Sequence, residues 1–255
     1  MGGKVTIVGQ GLAGTCLAWR LWDRGQDFCL VHRGHRRSAS FISAGLLTPV
    51  TGRKLNPSWR LEEFLSEARA FYQGVEMVLG EQFFHEVPIV RLFADADERS
   101  RFDRKRDVVD QWVSEFLEQE NCPYNAPHGG VIWQGGGWLD TRRFLEASRG
   151  YFREAGLIEV QEVDLEKPLP DGGVTVLCAG AAGLGAGPFG FLPERRAKGE
   201  LLTVRILGFP ENRIVSCNGW LVPLGGALFR AGATYCWDDP DELKAEMLGL
   251  YRGAM

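Results

Sequence analysis

The chain has few of the features that mark membrane proteins or nucleic-acid-binding proteins. None of its apolar runs approaches the roughly 20 residues that span a bilayer. The N-terminal sequence also has no basic region followed by an apolar segment and a cleavage site. Its 29 lysine and arginine residues are outnumbered by 33 aspartate and glutamate residues, so the net charge is −4, which disfavours a polyanionic partner. We therefore expect a cytoplasmic protein with no membrane partner, and a nucleic-acid partner is disfavoured.

Cysteine and histidine are too few and too scattered for a metal centre or a disulfide framework. The six cysteines and four histidines include no pair with the spacing of a zinc site. Most of the cysteines lie within apolar stretches, as reduced core residues do. The sequence therefore predicts no metal.

A glycine-rich turn near the N-terminus is the most informative feature that is present. Val5–Val8 has the apolar pattern of a buried strand, and Gly9-Gln-Gly-Leu-Ala-Gly14 follows it and opens a helix. In dinucleotide-binding proteins the first glycine allows the tight turn, the second lets the backbone approach a pyrophosphate, and the third lets the helix pack on the strand. The helix N-terminus faces the phosphates. The turn predicts an ADP-containing cofactor, with NAD, NADP and FAD as the alternatives.

The second predicted strand, Asp27–Val31, departs from this pattern at its end. In nicotinamide and flavin enzymes that end normally carries an acidic residue for the adenosine ribose, but here the residue is His32. Histidine can donate a hydrogen bond to a hydroxyl but cannot be the usual bidentate acceptor. The basic stretch from His32 to Arg37 has two interpretations, a pocket for the 2′-phosphate of NADP or a solvated surface.

Hydrophobic periodicity predicts several helices along the rest of the chain. Apolar residues at three- and four-residue intervals predict a helix over Leu61–Leu79 and a charged helix from about Asp97 to Glu118. Asp140 is placed to cap a helix that begins at Thr141, and Gly156 to end it. A last helix is expected to start at Asp239.

Strand signals in the C-terminal part predict an antiparallel meander. Its expected strands are Leu201–Ile206, Trp220–Pro223, Leu228–Ala231 and Ala233–Cys236. Parallel α/β segments at 1–50 and 140–185 alternate with antiparallel ones. This alternation predicts an α/β fold with a Rossmann-like parallel-sheet domain interleaved with a mostly antiparallel α+β substrate domain. The predicted bounds are 1–56 and 138–196 for the Rossmann-like domain, and 57–137 and 197–255 for the substrate domain.

Five sequence motifs together carry a family resemblance. They are Gly9–Gly14, the hydroxyl- and glycine-rich stretch Ser38–Gly52, Gly136–Arg142, Val176–Gly180, and Leu221–Gly226 running into Gly232–Thr234. In this order and spacing the chain resembles the D-amino-acid oxidase-like family of FAD-dependent oxidoreductases, which includes glycine oxidase and sarcosine oxidase. The resemblance covers nearly the whole chain and implies FAD as the cofactor.

The resemblance also implies which residues contact FAD. They are Gly9, Gly11, Leu12, Ala13 and Gly14 at the first turn, His32 and Arg33 after the second strand, Ser38, Ser40, Ala44, Gly45 and Leu46 along the ribityl chain and flavin ring, Val163 at the adenine, and Ala179 and Gly180 at a second turn.

The implied chemistry is hydride transfer from the carbon that bears a substrate amine to flavin N5, with a small amine or amino acid as the partner. Because the cofactor performs the difficult step, no dedicated acid–base pair is required. Substrates of this family usually have a carboxylate, for which Arg53 and Arg91 are the candidate anchors. The catalytic residues are otherwise unassigned, and monomer and homo-oligomer are both open.

Two alternatives to an amine oxidase follow from the same resemblance. One is a protein like the FAD-dependent oxidase that modifies the tRNA wobble uridine, which the acidic charge balance disfavours. The other is a truncated, non-catalytic nucleotide-binding module. That alternative arises because the resemblance implies a further C-terminal segment, with another strand that carries a substrate-binding arginine.

Overall fold

The structure of the 255-residue chain is a computed structural model. It describes residues 3–34, 38–167, 173–183 and 185–236. The helix predicted to start at Asp239 lies outside the described residues, and so do residues 35–37 of the basic stretch.

The chain folds into two compact units that each take three segments of sequence. The first unit comprises residues 1–43, 72–83 and 140–196, and the second unit comprises residues 44–71, 84–139 and 197–255. The domain bounds predicted from the sequence differ from those of the two compact units. The predicted bounds therefore stay a prediction.

The described residues contain α-helices, short 3-10 helices and β-strands. The α-helices are α1 Leu12–Asp23, α2 Ala39–Ile42, α3 Leu61–Leu79, α4 Ala96–Val109 and α5 Thr141–Glu154, and the 3-10 helices are Asp110–Trp112, Gln119–Asn121, Gly180–Gly183 and Gly187–Phe189. The strands are β1 Val5–Val8, β2 Phe28–His32, β3 Leu46–Leu47, β4 Val50–Thr51, β5 Asn56–Pro57, β6 Phe84–Glu86, β7 Ile89–Leu92, β8 Val113–Leu117, β9 Gly130–Trp133, β10 Gly137–Leu139, β11 Ile158–Val160, β12 Val174–Leu177, β13 Leu202–Arg205, β14 Ile214–Cys217, β15 Gly219–Gly225 and β16 Leu228–Gly232.

The first unit is built on a four-stranded parallel sheet with the order β11–β2–β1–β12. Val8 at the end of β1 is in register with Val31 of β2 and Leu177 of β12. Phe28–Val31 are all buried, as expected for a parallel strand that is covered on both faces. The strands therefore end together at one edge of the sheet, which is where ligands bind in folds of this type.

An aromatic cluster packs α1 against α5 in the first unit. The ring centroid of Trp19 lies 5.0 Å from that of Tyr151 and 4.7 Å from that of Phe152. The indole Nε1 of Trp19 donates a hydrogen bond to Ser148 Oγ at 2.9 Å, and Phe152 meets Phe28 of β2 edge-on at 5.5 Å. Burial of each large side chain stabilises the fold by about 1.5–3 kcal/mol, so this cluster holds both helices to the sheet.

The second unit is mainly antiparallel. Its largest sheet has the order β13–β16–β15–β14–β7–β9–β8, and only the pair of β14 with β7 is parallel. Helix α4 packs on this sheet through Phe102, whose ring centroid lies 5.2 Å from that of Phe93 and 6.0 Å from that of Trp133. The small sheets β3–β10–β6 and β4–β5 are antiparallel too. The predicted fold class, a parallel α/β sheet interleaved with a mostly antiparallel part, is confirmed.

Two helix predictions are confirmed by the structure. Helix α3 has the predicted bounds, Leu61–Leu79. The side chain of Asp140 accepts a hydrogen bond from Arg143 N, which makes it the N-cap of α5, and Gly156 follows that helix with a φ of +71°. Among the helices that the structure describes, none combines the length and apolar character needed to cross a membrane.

The predicted helix from Asp97 to Glu118 is wrong in its second half. Helix α4 ends at Val109, and Val113–Leu117 forms β8, which pairs antiparallel with β9. The conformation of this segment is determined by its hydrogen bonds to β9, a strand that lies further along the chain. Local hydrophobic periodicity gives no information about that pairing.

The predicted C-terminal meander needs two corrections. Ala233–Cys236 is not a strand: within the described part of the chain, its ladder contact is one isolated bridge between Cys236 and Lys198. Strand β14, Ile214–Cys217, is absent from the prediction. It is a short segment stabilised by pairing with β15 on one side and β7 on the other.

Candidate functional site

The glycine turn lies where β1 ends and α1 begins. Gly11 is the N-cap of α1, with an extended backbone and no side-chain cap. The first N–H groups of a helix have no acceptor within the helix, and the helix dipole adds positive potential there. The N–H of Leu12 donates to Ser40 Oγ at 3.2 Å. This end of α1 is therefore suited to an anion.

Two glycines of the turn are required by close backbone packing. Gly9 has a φ of +111°, and a Cβ on it would overlap the carbonyl oxygen of Cys178. A Cβ on Gly14 would overlap the carbonyl oxygen of Gly9. The approach of β12 is fixed by the N–H of Cys178, which donates to Val8 O at 2.7 Å. These contacts hold the turn tightly between β1, α1 and the end of β12.

A cavity of about 540 Å³ lies in the first unit at the carboxyl edge of the parallel sheet. Its volume falls within the range of about 300–1,000 Å³ that ligand sites occupy. The predicted cofactor residues that line it are Gly9, Gly11, Leu12, Ala13, His32, Arg33, Ser38, Ser40, Val163, Ala179 and Gly180. The cavity thus brings together residues from widely separated parts of the sequence.

His32 has one ring nitrogen in a hydrogen bond, and the other has no partner among the described residues. The N–H of Gly34 donates to His32 Nδ1 at 3.0 Å. The Nε2 atom is buried and has no hydrogen-bond partner in the part of the chain that the structure describes. Burial lowers the pKa of His32, and the positive charges of Arg149 and Arg153 lower it further. The imidazole is therefore neutral at pH 7.

Gln10 and Arg149 also line the cavity, and the sequence interpretation missed both. Arg149 Nε donates to Gln10 Oε1 at 2.5 Å, and Gln10 Nε2 donates to Leu145 O at 3.0 Å. Gln10 occupies a position of the glycine motif that accepts any residue, so the motif gave no signal there. Arg149 could have been found from its position in α5. It lies four residues after the buried Leu145, and residues with this spacing share one face of a helix.

Four predicted cofactor residues do not line this cavity. Gly14 packs on Gly9 as described, and Ala44, Gly45 and Leu46 belong to the second unit. Gly45 has a φ of +64°, and its carbonyl oxygen accepts a hydrogen bond from Leu139 N at 3.0 Å. The chain at Gly45 therefore runs directly against β10.

Both candidate substrate anchors have hydrogen-bond partners. The guanidinium of Arg91 donates to the buried carboxylate of Glu98 and, at 2.9 Å, to Ser216 Oγ. Arg53 is exposed and donates from Nη2 to Asn218 Oδ1 at 2.9 Å. Arg91 thus has its charge balanced by an internal carboxylate, whereas the partner that the described residues give the Arg53 side chain is a neutral amide.

The cavity contains one cysteine, and it is not an activated nucleophile. Burial raises the pKa of the Cys178 thiol, so the neutral thiol predominates at pH 7. Within the described residues, no group of three or more histidine, cysteine, aspartate or glutamate side chains could hold a metal ion. The lining presents backbone amides, hydroxyls, one neutral imidazole, two arginines and one glutamate, a set of groups that suits the phosphates and ribose of a nucleotide.

Comparison with known proteins gives one family and several structures of the same fold. The profile of the family described as "FAD dependent oxidoreductase" (DAO) matches residues 4–252. Glycine oxidase from Geobacillus kaustophilus superposes with a TM-score of 0.79 at 18% identity, over 99% of this chain and 78% of that one. Glycine oxidase from Bacillus cereus ATCC 14579 gives 0.75 at 19% identity, with the same two coverages. L-proline dehydrogenase from P. horikoshii gives 0.72 at 15% identity, over 99% and 77%.

Proposed function

The chain belongs to the DAO family of FAD-dependent oxidoreductases, and from this premise we propose that it oxidises the C–N bond of a small amine or amino acid. The observation that carries the proposal is the family match over residues 4–252. Proteins of similar structure are named for glycine, L-proline and iminodiacetate, which all contain a C–N bond next to a carboxylate group. We expect the protein to act in the cytoplasm.

We propose that the adenosine and pyrophosphate part of FAD occupies the cavity of the first unit. The carboxyl edge of the parallel sheet and the N-terminus of α1 would receive the pyrophosphate, at Gly9, Gly11, Leu12, Ala13 and Gly14. Two features fit a bound nucleotide. Gly11 lines the cavity, and His32 Nε2 is buried without a partner among the described residues, which is costly for a polar atom.

The other predicted contacts follow the same assignment. We propose that Arg33 and Val163 flank the adenosine, that Ala179 and Gly180 pass the cofactor at the end of β12, and that Ser38 and Ser40 lie along it. The resemblance assigns Ala44, Gly45 and Leu46 to the flavin end.

When bound, FAD supplies a hydride acceptor at flavin N5. The residues of the chain then have to hold the substrate carbon in place, exclude water and favour the neutral amine. Of the two candidate anchors, Arg53 is the better one for a substrate carboxylate. A carboxylate at Arg91 would have to compete with Glu98, which is already buried against that guanidinium.

Anaerobic reduction of the bound flavin tests the proposal. The chain is loaded with FAD and mixed, without oxygen, with glycine, sarcosine, L-proline or iminodiacetate. We expect at least one of these amines to bleach the visible flavin absorbance, while acetate, which has the carboxylate but no C–N bond, leaves it unchanged. Bleaching by dithionite alone, with no response to any of the amines, would reject the oxidase and favour the non-catalytic nucleotide-binding module.

A further inference from the structure

We propose that His32 binds the adenosine ribose of FAD by donating a hydrogen bond from Nε2–H to a ribose hydroxyl oxygen. This contact has the opposite polarity to that of the acidic residue that normally ends the second strand and accepts hydrogen bonds from the ribose. The inference rests on the cofactor site proposed above and names a residue that determines how this site recognises the nucleotide.

The tautomer of His32 follows from the hydrogen bond at its Nδ1 atom. Nδ1 accepts from the N–H of Gly34 at 3.0 Å, so Nδ1 carries no proton. In a neutral imidazole the proton is then on Nε2, which becomes a donor. That donor is buried, lacks a partner in residues 3–34, 38–167, 173–183 and 185–236, and belongs to a side chain that lines the cavity.

The charged groups around His32 keep it in this state. Arg149 and Arg153 of α5 both face it and disfavour a second proton on the ring. The next residue is Arg33, whose Nη1 lies 3.6 Å from Oε1 of Glu162. Glu162 follows β11 in the chain and has an exposed side chain. Positive charges outnumber negative charges around the ring. The imidazole therefore stays neutral and keeps its proton on Nε2.

A ribose hydroxyl is a suitable ligand because it can accept as well as donate. Its oxygen accepts from His32 Nε2–H, and its own proton remains free for another acceptor or for water. A carboxylate at the same place could only accept. The exchange of acidic residue for histidine therefore changes the direction of the contact and does not remove it.

The test measures nucleotide affinity and does not depend on turnover. FAD and ADP are titrated against the unmodified chain, His32→Phe, His32→Gln and His128→Phe. Phenylalanine keeps a ring and removes the donor, whereas the glutamine amide nitrogen can replace Nε2. His128 lies outside the cavity and is the matched control. Thermal unfolding without ligand confirms that each variant is folded.

We expect His32→Phe to weaken FAD and ADP binding by about 3- to 10-fold, the usual effect of one neutral hydrogen bond. His32→Gln should recover most of the loss, and His128→Phe should bind as the unmodified chain does. The decisive comparison uses 2′-deoxy-ADP and 3′-deoxy-ADP. Loss of one hydroxyl should weaken binding to the unmodified chain, and this penalty should shrink in His32→Phe.

Two results would overturn the inference, and they can be told apart. Equal penalties for the deoxy nucleotides in the unmodified chain and in His32→Phe would remove His32 from ribose recognition while leaving the cofactor site in place. Failure of the unmodified chain to bind either FAD or ADP would reject the proposed cofactor site itself, and the role of His32 with it.

Discussion

The space around each position of the glycine turn determines which residue type can occupy it. Gly9 and Gly14 meet backbone atoms on the side where a Cβ would stand. Gly11 differs from them because its nearest atom in that direction is Ser40 Oγ, at 3.1 Å, and it also lines the cavity. Gly9 and Gly14 are therefore required by backbone packing, whereas Gly11 lines the cavity that we propose for the cofactor.

Gly11→Val is expected to abolish FAD binding. The Cβ of the new residue would meet Ser40, and its two methyl groups would reach into the space proposed for the pyrophosphate. Fluorescence quenching during titration with FAD measures the effect. Gly74→Val is the control, because a Cβ at Gly74 meets no atom within 4 Å. Stoichiometric flavin in Gly11→Val would contradict the assignment of this turn to the cofactor.

His32 shows how far the sequence alone could go at the residue scale. Its place at the end of β2 and its capacity to donate could be read from the sequence. The state of its two nitrogens could not, because it depends on the turn at Gly34 and on the arginines of α5. The sequence likewise does not show that Arg91 pairs with Glu98, because this ion pair depends on how β7 and α4 pack together.

Helices and strands follow the sequence where their signals are local. Helix α3 was predictable because its apolar periodicity runs unbroken over Leu61–Leu79, and α5 because Asp140 caps it. The segment Val113–Leu117 was not predictable as a strand, since β9 supplies its hydrogen bonds. Strand β14 likewise depends on β7, which lies more than a hundred residues earlier in the chain.

Replacement of a helical glycine by alanine lowers or raises the free energy of unfolding according to the atoms that lie next to the glycine. Gly14→Ala in α1 should lower the free energy of unfolding by several kcal/mol, because its methyl group overlaps the carbonyl of Gly9 and the backbone has to move. Gly150→Ala in α5 should raise it by about 0.5–1 kcal/mol, because nothing lies within 4 Å and alanine favours the helix.

Urea denaturation of the two alanine variants beside the unmodified chain gives both values. The pair is matched, since each change adds one methyl group to a helix of the first unit. Similar free energies of unfolding for Gly14→Ala and Gly150→Ala would show that α1 does not pack on the turn as described.

At the scale of the whole molecule, the chain consists of two units with different types of sheet. The parallel sheet of the first unit provides a carboxyl edge with a nucleotide-sized cavity. The second unit provides a mixed sheet with a buried core around Phe102 and Trp133, and it carries both candidate substrate anchors. The fold class was predictable because the parallel and antiparallel signals occur in separate segments of the sequence.

Binding of the nucleotide half of the cofactor should therefore stabilise the first unit. A ligand at a hundred times its dissociation constant adds about 2.7 kcal/mol to the folded state that binds it. Amides of β1, β2 and β12 that exchange only through unfolding should then exchange about 100-fold more slowly with ADP present. Hydrogen exchange followed by mass spectrometry measures this effect, and Gly11→Val with ADP is the control in which the slowing should be lost. Unchanged exchange in these three strands at saturating ADP would mean that the nucleotide binds elsewhere in the molecule or does not bind.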